Sequence, residues 1–416
     1  MAEHGNADTA PDSDKKSALQ RTLTPVSLSL YGLGTILGAG IFVVIGKIAG
    51  EAGLLAPASF LLAAVAATFT ALSYVELATR IPLSGGSAAY VAEAFHLRAL
   101  TALVGWGIIA TGVVSAATIT TGFFGYLGVF VDWPRSWVIP ACVAVLTAVA
   151  AVGVKQSAWF MGLTTSAGLA GLAIVLVTAG GNLAGYPSQL ESMGSVSLTG
   201  VVSGGFLAFY AFIGFEDIVT LAEETQDVTR TLPIAIFVAL GASALLYIVV
   251  AATSVATLSA AKLNESSAPL VDVVRAEGQT GIILGVLSLA IIINGALAQI
   301  IMTARITHDL GERRGVAPEW LARVNGHTRT PLVATLFAGT TVLLLALFFP
   351  TETLARATSY IILGVFLAIN AALLRLKCSD HKVRHAYKQY PQFIPIGGII
   401  VSLLLLAGEV FLGSTN

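Results

Sequence analysis

The chain has 416 residues, 56% of them hydrophobic and 11% charged, with a mean hydropathy of +0.85 and a formal net charge of −1. Soluble proteins carry about 25% charged residues, so this composition excludes an ordinary soluble enzyme and points to a polytopic membrane protein. The near-neutral balance gives no footing for nucleic acid, and two cysteines, Cys142 and Cys378, are too few for a disulfide framework or a metal cluster.

Residues 1–22 are polar and lack the apolar core of a cleavable signal peptide, so a disordered cytoplasmic tail is expected there. Crossing about 30 Å of hydrocarbon takes roughly 20 apolar residues. Eleven stretches qualify: 25–49, 55–79, 99–130, 136–153, 157–180, 198–222, 231–257, 281–310, 332–350, 353–375 and 393–412. The third and eighth are long enough to tilt or to project into water. With the N-terminus inside, the cytoplasmic segments hold seventeen of the 22 Lys and Arg residues and the outer side five. That positive-inside bias fixes the orientation, and an odd number of spans puts the C-terminus outside. Between spans, residues 79–95 carry Pro82, Gly85 and Gly86 followed by a helix-compatible stretch. The outer loop 258–280 contains SAPLVDVVRAEG, an amphipathic stretch expected to lie across the surface as a short helix.

The first span opens with GLGTILGAGIF (32–42), unusually rich in glycine, which costs about 1 kcal/mol relative to alanine in a helix interior. Gly34 and Gly38 form GxxxG, a spacing that serves close helix packing. The alternative is that Gly38-Ala39-Gly40 bares backbone N–H groups to a ligand, as at the end of a half-helix. In the sixth span, Gly214 is followed by Phe215, Glu216 and Asp217, placing two acids at a depth where charge is expensive. Either the span breaks there, or it ends early and the acids already lie in cytoplasmic water. IVTLA continues the apolar run to Ala222, which favours the break. Two glycine-interrupted spans standing five apart are the pattern of an inverted-repeat transporter with its site near the midplane. Half-helix N-termini suit a carboxylate and half-helix C-termini an ammonium, so the paired break fits an amino acid.

At these residues the chain resembles bacterial amino acid permeases of the amino acid–polyamine–organocation (APC) superfamily. The matching stretches are GTILGAGIF (34–42), YVELATRIPLSGGSAAY (74–90), AFYAFIGFEDIVTLAEETQDVTRTLP (208–233) and NGALAQIIMTARITHDLGERRGVAPEWLARVNGHTRTP (294–331). The resemblance implies an all-α fold of five plus five inverted repeats with discontinuous helices 1 and 6, working by alternating access. It divides the chain into the tail 1–22, a transporter core 23–375, and a basic cytoplasmic loop with the eleventh helix, 376–416. It implies an unwound segment at Thr35–Gly40, with backbone around Gly38, Ala39 and Gly40 holding the substrate carboxylate. The carbonyls of Ile36, Tyr210 and Ile213 would take the ammonium, with Tyr210 packing on the substrate beside Phe212 and Gly214. Phe212 and Phe215 are read either as gates or as packing. Glu216, with Asp217, matches a carboxylate used in pH sensing or gating.

Three departures from the family pattern matter. The lysine of proton-coupled members falls near Gly168, where span five has none, and Lys155 sits at the membrane edge. The acid that the cationic branch carries in span three falls near Thr111, which shifts the expectation toward neutral amino acids. The usual count is twelve spans and eleven are found. Among other polar groups, Glu76 and Arg80 read as an interfacial pair or a contact to an inner gate. Arg305, His308 and Asp309 read as a solvated helix end or an inner-gate bridge. Asn294 and Gln299 are expected to bond between helices, and Glu409 to snorkel.

The expected function is secondary transport of amino acids across the inner membrane, not enzyme activity. No cofactor or metal is expected, and a proton stands ahead of sodium as coupling ion. The partners are an amino acid substrate and the bilayer, with no nucleic acid, and the protein is a monomer or homodimer. Alternatives are an amino acid exchanger, a polyamine or organic-cation carrier, and a non-transporting sensor or channel. HExxH, GxSxG and P-loop motifs are absent from the sequence, which disfavours ATP-driven transport.

Overall fold

Backbone in hydrocarbon must satisfy its own hydrogen bonds, and the apolar runs do so as helices. The computed structural model describes residues 22–37, 40–81, 86–153, 158–193, 197–312, 315–325, 328, 330–379 and 389–412. Among them no strand forms, apart from one isolated β-bridge between Leu23 and Thr225.

The first span is described in two pieces, α1 (Pro25–Leu37) and α2 (Gly40–Ala52), with Gly38 and Ala39 between them outside the described residues. Of the predicted unwound segment Thr35–Gly40, Thr35, Ile36 and Leu37 are helical and complete α1, Gly40 opens α2, and the rest lies outside the described residues. A 3₁₀ turn joins α2 to α3 (Ala56–Arg80). Gly40 to Arg80 is 41 residues, about 60 Å of helix at 1.5 Å per residue, twice the hydrocarbon thickness. It folds back instead at Gly53, whose φ of +59° glycine tolerates, just before Pro57 in the first turn of α3.

Then follow α4 (Gly86–Phe95), α5 (Arg98–Leu127), α6 (Arg135–Val152), α7 (Ala158–Ala179) and the short α8 (Tyr186–Glu191). Span six is α9 (Leu198–Phe209), a 3₁₀ turn at Tyr210–Phe212, a bend at Ile213 and Gly214, then α10 (Phe215–Ile218) and a second 3₁₀ stretch, Val219–Glu224. It breaks in mid-span rather than ending early. The remaining elements are α11 (Val228–Thr257), α12 (Ala260–Glu265), α13 (Pro269–Ala276), α14 (Ile282–Glu312), α15 (Glu319–Ala322), α16 (Leu332–Phe348), α17 (Thr351–Ser379) and α18 (Phe393–Leu412). Each predicted span coincides with one helix or with a pair of half-helices. By length and composition, nine helical stretches among the described residues suffice to cross a membrane, with Pro25–Leu37 and Leu332–Phe348 shorter. Of the short helices, α4 and α13 fall where the sequence predicts them. In α13, Leu270, Val271, Val273 and Val274 are buried while Asp272 and Arg275 pair outside at 3.3 Å.

Polar side chains bolt α3, α17 and α18 together. Asn370 Oδ1 accepts from Ser73 at 2.7 Å, and its Nδ2 donates to Thr70 Oγ1 at 3.0 Å. Glu76 pairs with Lys377 of α17, at 2.6 Å, and accepts from the Tyr390 N–H at 2.9 Å. Glu409 does not snorkel: it is buried and pairs with Arg356 of α17, which also meets Glu51 and, at 3.2 Å, Glu352. A cation within reach gives the carboxylate a better partner than a stretch toward water. His308 is likewise engaged, its Nδ1 on the Ala322 carbonyl at 2.6 Å and its Nε2 on Glu312 at 2.8 Å.

Candidate functional site

The glycines let spans one and six meet backbone to backbone. A Cβ on Gly40 would lie 2.5 Å from Ala211 Cα, and one on Gly214 would lie 3.0 Å from the Thr35 carbonyl carbon. Gly214 also holds φ +121°, a conformation closed to side chains. Thr35 Oγ1 lies 2.9 Å from the Gly32 carbonyl and 3.1 Å from that of Gly214, so its proton is shared across the two spans. Where span one begins and span six ends, the N–H groups of Thr22 and Leu23 donate to the Glu224 carbonyl at 3.0 Å, and that of Gln226 donates to the Leu23 carbonyl at 3.1 Å. The packing use of glycine holds as well: Gly34 sits against Thr165 of α7, and Gly32 against Ile218 and Ala239.

Beside this junction is a cavity of about 40 Å³. Gly34, Thr35, Ile36 and Gly40 line it from span one, and Tyr210, Ile213 and Asp217 from span six. The opposite wall is Ser115 and Ile119 of α5 with Asn294, Gly295, Ala298 and Gln299 of α14. Asp217 is the one charged side chain among those lining residues. The N-terminus of α2 opens at Gly40, so the positive end of a helix dipole faces the space. At Ile213 the backbone turns extended (φ −62°, ψ 138°), and its carbonyl leaves the helical ladder.

Of the predicted site residues, Thr35, Ile36, Gly40, Tyr210, Ile213 and Asp217 meet at the cavity, and Gly38 and Ala39 lie outside the described residues. Phe212, Gly214 and Glu216 do not line it. Phe212 is fully buried with its ring 5.3 Å from that of Tyr247, and Phe215 packs on Phe366 and Tyr74, so both serve packing here. Glu216 turns back on its own helix, Oε2 accepting from the Gly214 N–H at 2.9 Å. The Ile36 carbonyl already accepts from the Tyr247 hydroxyl at 2.7 Å, leaving one lone pair. Tyr210 reaches across to Ser115, hydroxyl to hydroxyl at 3.4 Å.

Tyr247, Ser115 and Ile119 were not foreseen. Gln299, expected to bond between helices, instead lines the cavity with its Oε1 buried and unpartnered. The signal was present in NGALAQ (294–299), where Asn294, Gly295, Ala298 and Gln299 fall on one helical face. The place of the family lysine, Gly168, is filled by Ile291, whose Cδ1 occupies the space of a Cβ. Thr111 is buried and bonds its own helix at the Gly107 carbonyl, 2.9 Å away.

Comparison with known proteins agrees with this architecture. Residues 23–414 match the model of the amino acid permease family. An uncharacterized transporter of Mycobacterium tuberculosis is 32% identical over 94% of this chain and 87% of its own length. A branched-chain amino acid permease of Bacillus subtilis is 28% identical over 91% and 85%. The human cationic amino acid transporter 4 is 27% identical over 89% of this chain and 62% of its own length. The solved structure of a Na⁺-coupled sialic acid symporter, substrate-bound and outward-open, has a TM-score of 0.63 over 96% of this chain and 93% of that chain. At 10% identity that likeness speaks for the fold alone. With the first span in two pieces and the sixth broken, the fold is the expected five-plus-five inverted-repeat transporter fold.

Proposed function

The chain belongs to the amino acid permease family, a multi-pass membrane protein, and on that premise we propose that it carries neutral amino acids across the inner membrane by alternating access. The reading rests on one arrangement: the C-terminal end of α1 and the N-terminal end of α2 face one cavity beside the broken sixth span. The backbone N–H groups that open α2 at Gly40 suit the α-carboxylate. The carbonyls of Ile36, Tyr210 and Ile213, with the Asp217 carboxylate, suit the ammonium. A cationic side chain would find no second carboxylate among the lining residues, which favours neutral substrates. The excess of Lys and Arg in alternate loops, seventeen against five, supports an N-terminus inside and a C-terminus outside.

Counterflow in proteoliposomes tests this. Preloaded amino acid should drive saturable, stereoselective uptake of the labelled L-enantiomer. Competition by putrescine together with indifference to the α-carboxylate would overturn it in favour of an organic-cation carrier. Unsaturable flux would indicate a channel, and binding without flux a sensor.

Coupling belongs to Glu216, since Ile291 fills the place of a coupling lysine. Glutamine there keeps an acceptor for the Gly214 N–H but cannot gain or lose a proton. Wild-type uptake should rise as external pH falls, and Glu216→Gln should flatten that profile. An unchanged profile sinks the role of Glu216, and uptake that proceeds only against preloaded substrate identifies an exchanger.

A further inference from the structure

We propose that the α14 wall of the cavity, through Gln299, selects neutral amino acids with a short hydroxyl-bearing side chain over apolar ones of the same shape. The proposal deepens the reading above and rests on it. If the half-helix ends of spans one and six hold the carboxylate and ammonium, the substrate side chain must point to the opposite wall, which α5 and α14 supply. That wall carries Ser115 and the two amides Asn294 and Gln299. Gln299 Oε1 is buried and without a hydrogen-bond partner, and Thr303 Oγ1, one turn further along α14, shares that condition. Across from them α5 has Gly112, where a Cβ would press on Thr303 Oγ1 and lie 3.5 Å from Gln299 Oε1. The glycine is a notch that admits the Thr303 hydroxyl, with the Gln299 amide at ordinary contact beside it.

A buried acceptor left unpaired is expensive, and the cost falls on whichever substrate fails to pair it. A substrate hydroxyl donating to Oε1 removes the penalty, while a methyl group in the same place keeps it. Sites built to bond a polar substrate group reject the analogue lacking it far better than apolar pockets discriminate by size.

Threonine and valine differ by a hydroxyl for a methyl, so their ratio isolates the effect. In counterflow with the full-length protein, L-threonine should compete about tenfold better than L-valine. In Gln299→Leu that ratio should fall to one or below, while Gln299→Glu, which keeps an acceptor, should hold it above one. The ratio within each variant does not depend on how much protein folds. Wild-type protein that favours valine overturns the proposal whatever the variants do, as does an unchanged ratio in Gln299→Leu. If no amino acid exchanges at all, the failure lies with the transport reading, and the α14 wall falls with it.

Discussion

The two sides of the bundle treat polar side chains in opposite ways. On the α3–α17–α18 side they are saturated: Asn370 bonds Ser73, Thr70 and the Phe366 carbonyl, Glu76 takes both Lys377 and the Tyr390 N–H, and Arg356 meets three carboxylates. Ser359 is an exception there. On the α5–α14 side, Gln299 and Thr303 hold buried oxygens with no partner, and Gln299 lines the cavity. A polar group in a low-dielectric interior is costly until paired, so the saturated groups hold helices in place, while Gln299 keeps an acceptor at the cavity wall. The difference separates framework from recognition within one membrane domain.

The largest test attacks the framework. Lys377→Met leaves the Glu76 carboxylate, 1% exposed, without its cation. Loss of one partner of a buried pair costs about 3–5 kcal/mol. Thermal unfolding in detergent should show a large loss, and the double variant with Glu76→Gln should regain more than half. Equal losses in single and double variants would mean that the pair does not bolt the helices.

A smaller loss of stability with a larger loss of function is expected at the junction of spans one and six. Gly40→Ala places a methyl against the Ala211 backbone, an overpacking that costs about 1–3 kcal/mol. Transport should be lost while folded protein persists, because the displaced backbone is the one proposed to hold the substrate. A variant that transports normally would break the assignment of this junction to the site. The smallest effect belongs to Tyr247, which spans both categories by bonding the Ile36 carbonyl from α11. Tyr247→Phe removes one hydrogen bond of about 1 kcal/mol. It should raise KM about fivefold with little change in maximal rate, read from uptake kinetics.

The helical plan was legible because membrane spans and their breaks are written in local composition. IGFED marked the break in span six, and SAPLVDVVRAEG marked α13. What escaped was pairing across the bundle. Glu409 looked like a lone acid near a helix end, yet its cation lies 53 residues earlier in sequence, and the Tyr390 N–H on Glu76 lies 314 residues away. No local pattern announces such partners. The cavity was half legible: the backbone wall followed from glycines, while the α14 wall was misread because an amide in a membrane helix signals helix pairing as readily as substrate contact.

The bridge between Leu23 and Thr225 has a consequence for how this protein can vary. Its three bonds run from main-chain N–H to main-chain carbonyl, and they join the start of span one to the end of span six, the two spans that flank the cavity. Every residue except proline carries those atoms, so the coupling survives nearly any exchange of side chain at Leu23 or Gln226. A mutational scan would pass over it in silence, although it ties the start of span one to the end of span six. The linkage is thus inherited with the backbone, leaving the side chains around it free to drift toward other substrates.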